Sequence, residues 1–126
     1  MLDDGVAFHG LNRLENELLV RDFLEVLSTG DCTAIMPFIH RDIQFAWAPG
    51  SRANGSRGVR RVWEELVAHC GIPSVRIITI ASVDETVIVE ASLSWHDNRD
   101  DRNGSRVFAA FEICDYQIVQ WRQANQ

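Results

Sequence analysis

The stretch from residue 111 to residue 123 constrains the fold more than any other part of the chain. It reads FEICDYQIVQWRQ, and apolar and polar residues alternate along it on both sides of Asp115-Tyr116-Gln117. A period of two is typical of strands that have one buried and one exposed face. The stretch therefore predicts a hairpin of two strands joined by a tight turn at Asp115-Tyr116-Gln117.

The same period recurs earlier in the second half of the chain and predicts an antiparallel meander over residues 75–80, 86–95, 106–114 and 117–122. The first half instead shows helical periods, which predict helices over residues 12–29, 32–39 and 56–70, with one short strand at 43–47 and turn chemistry at 49–56. Asn12 and Asp31 are the expected N-caps of the first two helices, Pro37 is expected to kink the second or end it early, and Gly71 is expected to end the third. The first and third helices each show an apolar stripe. Residues 1–10 have no clear period and are expected to be irregular. These elements predict a single α+β domain over residues 1–126, in which three N-terminal helices cover one face of an antiparallel sheet.

The charge and cysteine content exclude several classes of protein. A net charge of −6 disfavours nucleic-acid binding, which needs concentrated Lys and Arg. The three cysteines are widely spaced without a CxxC pair, so we expect free thiols and neither a disulfide framework nor a metal site. The beginning MLDDGVAFHG lacks the pattern of a signal peptide, and no apolar run reaches the about 20 residues of a membrane span. We expect a cytoplasmic protein that neither binds a membrane nor requires a cofactor.

Two stretches carry a resemblance to a known family: DIQFAWAPGSRANGSRGVRRVWEEL (residues 42–66) and FEICDYQIVQWRQ (residues 111–123). The first has a strand that ends in Trp-x-Pro-Gly and a Gly before the next helix; the second has Phe-Glu followed by Ile-Val-x-Trp-Arg. In this order the motifs resemble those of the NTF2-like, cystatin-like α+β cone, and within it the SnoaL-like and limonene-epoxide-hydrolase-like proteins. The resemblance covers most of the chain from about Asn12.

The resemblance implies a sheet wrapped around a pocket that the helices close. Alternation then places one set of side chains on the pocket side, with Trp63 closing the wall. This expected ligand pocket consists of Phe45, Trp47, Trp63, Ala91, Leu93, Trp95, Ala109, Phe111, Trp121 and Gln123. It is either an aromatic-lined site for a small, largely apolar and cyclic organic molecule, or an interior that the indoles fill.

The chain departs from the epoxide hydrolases at the positions that the resemblance assigns to catalysis. The hydrolases' Tyr and Asn fall on Phe45 and Trp47, their Arg and first Asp on Ala91 and Leu93, and their last Asp on Gln123. None of these side chains performs general acid or base chemistry. The leading interpretation is a pocket protein, and if it is an enzyme, an isomerase, cyclase or dehydratase. The alternatives are a non-catalytic binding or dimerisation module with a filled pocket and, third, an epoxide hydrolase with relocated groups.

The catalytic residues are unknown from sequence, and His40 and Gln123 are the remaining candidates. His40 precedes the first predicted strand, where it is either an acid or base at the pocket mouth or an exposed histidine. Gln123 either orients a ligand or is a buried amide satisfied by the backbone. His9, His69 and His96 offer less, and the acidic loop at residues 97–102 is expected to be a solvated turn.

The opposite side of the sheet is expected to carry polar residues. Members of this fold commonly pair through that side, so the resemblance implies a homodimer rather than a bare polar surface. The expected dimer face consists of Glu90, Ser92, Glu112, Gln120 and Arg122.

Overall fold

The computed structural model describes residues 4–48, 50–95 and 104–125, with side chains from residue 12 onward. Two helices and six strands form the described part of the chain. They are α1 (Asp4–Leu27), β1 (Ile39–Ala48), β2 (Ser51–Asn54), α2 (Gly55–Cys70), β3 (Pro73–Val83), β4 (Thr86–Trp95), β5 (Ser105–Cys114) and β6 (Gln117–Asn125). His96 and the acidic loop at 97–102 lie outside the described residues.

The prediction of three helices is wrong, because the second one does not form. Asp31 Oδ1 accepts hydrogen bonds from the backbone N–H of Thr33 and Ala34, at 2.9 and 3.2 Å, as the cap of a helix would. Pro37, however, has no N–H with which to continue a helical ladder. The segment therefore closes as turns followed by one short 3₁₀ helix, Met36–Phe38.

The expectation that residues 1–10 are irregular is also corrected from Asp4 onward. Helix α1 begins there and passes through Asn12 without a break, so Asn12 is not its N-cap. Asn favours a cap only where the chain before it leaves the helical conformation. Gly71 terminates the other helix, α2, as predicted. It adopts φ 87°, a conformation that glycine tolerates best, and its N–H donates to Val67 O at 2.9 Å.

The sheet is mixed rather than antiparallel. Its strand order is β2-β1-β6-β5-β4-β3, and β1 runs parallel to β6, whereas the other neighbouring pairs are antiparallel. Strand β2 lies in the stretch that was predicted to be turn throughout. With only the four residues SRAN, it is too short and too polar to show an alternating pattern.

Both helices pack on one side of the sheet, which we call the inner face; the other side is the outer face. Helix α1 packs chiefly on β3, at one edge, whereas α2 packs on β1 and β2, at the other. The apolar core lies between the helices and the inner face. No helix among residues 4–48, 50–95 and 104–125 is long and apolar enough to cross a membrane.

Candidate functional site

Strand register brings residues from β1, β6 and β5 into rows across the inner face. Phe45 on β1 pairs with Trp121 on β6, which in turn pairs with Phe111 on β5. In the next row Gln123 lies between Trp47 and Ala109. Because side chains at alternate positions share one face, each row projects its side chains toward the helices.

Trp121 is the centre of an aromatic cluster. Its ring centroid lies 5.3 Å from that of Phe23 on α1, 4.7 Å from that of Phe45 and 5.8 Å from that of Phe111. The indole of Trp63 on α2 approaches it at 5.7 Å. Trp121 is 1 % exposed, so this cluster lies within the core between the helices and the sheet.

A small cavity remains beside the cluster. Its volume is about 20 Å³, and a void of this size holds about one water molecule. Its wall consists of Leu24, Leu27, Trp63, Val75, Val89, Ala91, Leu93, Val107, Ala109, Phe111, Trp121 and Gln123. None of these side chains is ionisable, so the wall offers neither a general acid nor a general base.

Seven of the ten expected pocket residues line this cavity, and Phe45, Trp47 and Trp95 do not. Phe45 is buried behind Trp121. Trp47 is half-buried and donates from Nε1 to Asn125 Oδ1 at 3.1 Å. Trp95 is half-buried against Trp63, with 5.9 Å between ring centroids.

Five wall residues were not among the expected pocket residues: Leu24, Leu27, Val75, Val89 and Val107. Val89 and Val107 lie two positions before Ala91 and Ala109 on the same strands, so the period of two could have found them. Leu27 belongs to the apolar stripe of the first predicted helix. Leu24 lies four positions after Val20 and three before Leu27, and Val75 and Ile77 alternate with Arg76, so both periods place them on apolar faces. That the two line the same cavity depends on how α1 packs on β3.

Three residues of the cavity wall carry a polar side-chain group, the amide of Gln123 and the indole N–H of Trp63 and of Trp121, and these groups differ in their hydrogen bonds. Gln123 Oε1 accepts from Trp121 Nε1 at 3.1 Å, so the oxygen of this buried amide is bound by a side chain. Trp63 is 2 % exposed, and its Nε1 has no hydrogen-bond partner among the described residues. A buried donor without a partner costs about 1–3 kcal/mol of stability, and buried indoles usually have one.

His40 is not part of this site. It lies within β1, half-buried, and its Nδ1 accepts from the backbone N–H of Asp42 at 3.0 Å. His69 is exposed at the end of α2, where its Nδ1 lies 2.8 Å from Glu65 O. In the part of the chain that the structure describes, no group of three or more His, Cys, Asp or Glu residues is placed to hold a metal ion.

The expected dimer face lies on the outer face, away from the core. Glu90, Glu112 and Gln120 are half-buried there, and Arg122 is exposed. Glu90 accepts a hydrogen bond from Thr79 and forms an ion pair with Arg106, at 3.4 Å. Ser92, also half-buried, lies opposite Arg106 in the register.

The outer face is less polar than the alternation suggested. Phe108, 45 % exposed, lies opposite Glu90, and Ile88, 46 % exposed, lies opposite Ala110. Phe108 lies on β5 and Ile88 on β4, within the sheet rather than at its edges. Arg122 on β6 lies opposite Ala110 on β5.

A second concave region is an open groove of about 930 Å³ at the tips of the β3–β4 and β5–β6 hairpins, beside α1. Acidic residues line it, together with Arg13 and the exposed Tyr116. The pKa of Tyr116 is raised above its ordinary value, mainly by the negative charge of Glu15 on α1 and also by a hydrogen bond to that carboxylate. This contact ties the β5–β6 turn to α1.

Solved structures of other proteins share this fold. An LEH-like epoxide hydrolase from M. tuberculosis aligns with 90 % of this chain and 84 % of its own, at 22 % identity and a TM-score of 0.76. A candidate ketosteroid isomerase from Kribbella flavida aligns with 91 % and 80 %, at 12 % identity and a TM-score of 0.77. An NTF2-like protein of unknown function from Cytophaga hutchinsonii aligns with 86 % and 87 %, at 12 % identity and a TM-score of 0.70.

These likenesses show that the α+β architecture is the NTF2-like fold. No curated protein matches the sequence. The model of the SnoaL-like domain family matches residues 20–121, which include β1 to β5, α2 and most of the second half of α1. The chain therefore belongs to the SnoaL-like domain family.

Proposed function

We propose that this SnoaL-like protein binds a small, largely apolar organic molecule between its helices and the inner face of the sheet. The observation that carries the proposal is the cavity wall, whose residues are apolar or aromatic apart from Gln123; of its two indoles, that of Trp121 donates to Gln123 and that of Trp63 has no partner among the described residues. Sites for small organic molecules have this composition, with apolar surfaces and a few polar groups that orient the ligand. Flat rings suit a wall built from Trp63, Phe111 and Trp121.

The absence of ionisable side chains from the cavity wall supports binding of the ligand without proton-transfer chemistry. General acid–base catalysis needs an ionisable group within hydrogen-bond reach of the reacting atom, and the lining residues include none. The related folds include an epoxide hydrolase and a candidate ketosteroid isomerase. Under our proposal this chain uses their fold to hold a ligand, with Gln123 and Trp63 as its polar contacts.

Binding requires the interior to open. Ligand pockets typically measure about 300–1,000 Å³, whereas this cavity measures about 20 Å³. The two helices are attached to opposite edges of the sheet, α1 at β3 and α2 at β1 and β2. Separation of the helices along the seam between Leu24 and Trp63 would enlarge the cavity without breaking a strand pair. The free energy of this opening weakens the observed affinity.

The small volume favours a second candidate function. If the aromatic cluster simply fills the interior, the protein is a non-catalytic dimerisation module and its functional surface is the outer face. Under either candidate we propose that the outer face forms a homodimer. The support is a group of exposed apolar side chains on that face, Phe108 and Ile88 among them, beside the charged residues Glu90 and Arg106.

A thermal-shift screen against terpenoids, steroids and aromatic polyketides tests the first proposal. A ligand present at 100 times its Kd stabilises the folded state by about 2.7 kcal/mol, which corresponds to a rise in Tm of roughly 10 °C. Neighbouring alanines provide a matched pair of variants, because Ala109 lines the cavity and Ala110 faces outward. We expect Ala109→Leu to abolish the shift and Ala110→Leu to preserve it.

Two outcomes would contradict the proposal. If no compound of the three classes shifts the Tm, or if both alanine variants respond alike, the interior is not the binding site and the filled-core candidate stands. If the protein instead hydrolyses racemic epoxides with substantial turnover, a catalytic group outside the cavity wall must act, and the proposal of binding without catalysis fails.

A further inference from the structure

Trp63 Nε1 is a buried hydrogen-bond donor that the folded chain does not use. Trp63 lines the cavity and is 2 % exposed, and its Nε1 has no partner among residues 12–48, 50–95 and 104–125. The two neighbouring indoles differ from it: Trp121 donates to Gln123, and Trp47 donates to Asn125. An indole with an unsatisfied N–H in an apolar wall points to an acceptor supplied from outside the chain.

Gln123 adds a second donor to the same wall. Because its Oε1 accepts from Trp121 Nε1, the orientation of the amide is determined, and the Nε2 group is the part of the side chain left for other contacts. Trp63 Nε1 and Gln123 Nε2 are both donors. The other side chains of the wall are apolar, apart from the indole N–H of Trp121 that Gln123 already engages.

The absence of charge from the wall restricts the ligand further. A carboxylate or an ammonium group buried there would have no counter-ion among the lining residues, and burial of an unpaired charge is strongly unfavourable. A hydroxyl or amine hydrogen would find only the second lone pair of Gln123 Oε1 among the side chains of the wall, since the first already accepts from Trp121 Nε1, whereas an acceptor atom would find two donors. The polarity of the wall therefore selects for a neutral molecule that accepts hydrogen bonds.

We infer that the ligand is a neutral apolar molecule with a carbonyl or ether oxygen that accepts a hydrogen bond from Trp63 Nε1. The inference rests on the proposed function, since it concerns the same cavity. Trp63 is then the residue that determines specificity, because it distinguishes an oxygenated ring from the corresponding hydrocarbon. Phe111 and the indole faces contact both kinds of ring equally.

Cyclohexanone and methylenecyclohexane test the inference, because they have nearly the same shape and differ in whether an oxygen is present. We expect the wild-type protein to bind cyclohexanone about tenfold more tightly, as one hydrogen bond to an otherwise unpaired donor provides. Titration followed by NMR gives both affinities in the millimolar range. The chain has four tryptophans, so it shows four indole N–H signals; that of Trp63 should move downfield with the ketone only, and that of Trp47 should stay in place.

The variant Trp63→Phe keeps an aromatic ring but removes the Trp63 donor and leaves that of Gln123, so it should lose most of the preference for cyclohexanone. If this variant does not fold, the wild-type indole signals alone decide the question. Equal binding of both compounds by the wild-type protein, with no selective shift at Trp63, overturns the inference and leaves the proposed function standing. Binding of neither compound also overturns the inference, and the thermal-shift screen then decides the proposed function separately.

Discussion

Trp63 and Trp121 are both nearly inaccessible to solvent, yet they contribute differently to stability. The N–H of Trp121 is satisfied by Gln123 Oε1, and its ring contacts four other aromatic rings. The N–H of Trp63 is unsatisfied among the described residues. The hydrogen bond of Trp121 therefore adds to the stability that burial of its ring provides, whereas the unpartnered N–H of Trp63 reduces it.

Substitution of each indole by phenylalanine should reveal this difference. We expect Trp121→Phe to lower the free energy of unfolding by about 2–3 kcal/mol, since it leaves a void and deprives Gln123 Oε1 of its donor. We expect Trp63→Phe to change it by less than about 1 kcal/mol, because removal of an unpartnered donor offsets the lost contacts. Urea unfolding measures both. Equal losses would mean that Trp63 Nε1 is satisfied in the free protein, and would remove the basis for its role in ligand recognition.

At the scale of elements, the β5–β6 hairpin connects the sheet to α1. Its turn residues Asp115 and Tyr116 both adopt left-handed backbone conformations, with φ of 49° and 62°. This is the pattern of the two-residue turn whose twist matches that of a hairpin, although glycine or asparagine usually occupies it. The conformation directs Tyr116 toward Glu15.

The titration of Tyr116 reports whether this contact forms. Tyr116 is the only tyrosine, so the absorbance of tyrosinate measures it alone. The negative charge of Glu15 raises the pKa of Tyr116, and the hydrogen bond to the carboxylate raises it further. We expect Glu15→Gln to lower that pKa toward its ordinary value and Glu25→Gln, on an exposed position of the same helix, to leave it unchanged.

The sign of the effect on stability follows from the raised pKa. The folded state favours the neutral phenol, so the stabilisation is fully present below the ordinary pKa of about 10 and is lost as the pH rises through the folded value. The wild-type protein should lose stability over this range, and the Glu15→Gln variant should lose less. An unchanged tyrosine titration in Glu15→Gln would show that the turn does not contact α1 in solution.

At the scale of the whole molecule, the two sides of the sheet have different chemistry. The inner face is covered by two helices and carries the core, whereas the outer face leaves Phe108 and Ile88 exposed near charged residues. An apolar patch with a polar rim is typical of a surface that contacts another protein. The proposed occupant is a second copy of the chain.

Sedimentation velocity at micromolar concentration tests this assembly. We expect a dimer for the wild-type protein and a monomer for Phe108→Glu, because a two-fold interface would bury the new carboxylate opposite its own copy. Leu18→Glu is the matched control: Leu18 is 51 % exposed on α1, away from the sheet, and its substitution should leave the dimer intact. A monomeric wild-type protein would contradict the proposal directly.

The amino-acid sequence by itself determined which residues share each face. The period of two along β4 to β6 places Ala91, Ala109 and Trp121 on one side, because successive side chains of a strand point in opposite directions. The stripe of α2 and the glycine after it were equally readable, since both depend on local geometry. The helix predicted at Cys32–Ile39 shows the limit of such reasoning: its cap forms, but Pro37, which was expected only to kink or shorten the helix, leaves turns and one short 3₁₀ helix in its place.

Only the tertiary structure decided what those faces enclose. The parallel pairing of β1 with β6 joins residues about 75 positions apart in the chain, which no local pattern encodes. The volume of the cavity depends on how α1 and α2 approach Trp121, and this is a property of packing among many side chains. For the same reason, the sequence could place Trp63 and Trp121 in the interior, but only the packed structure shows that one indole N–H has a partner and the other does not.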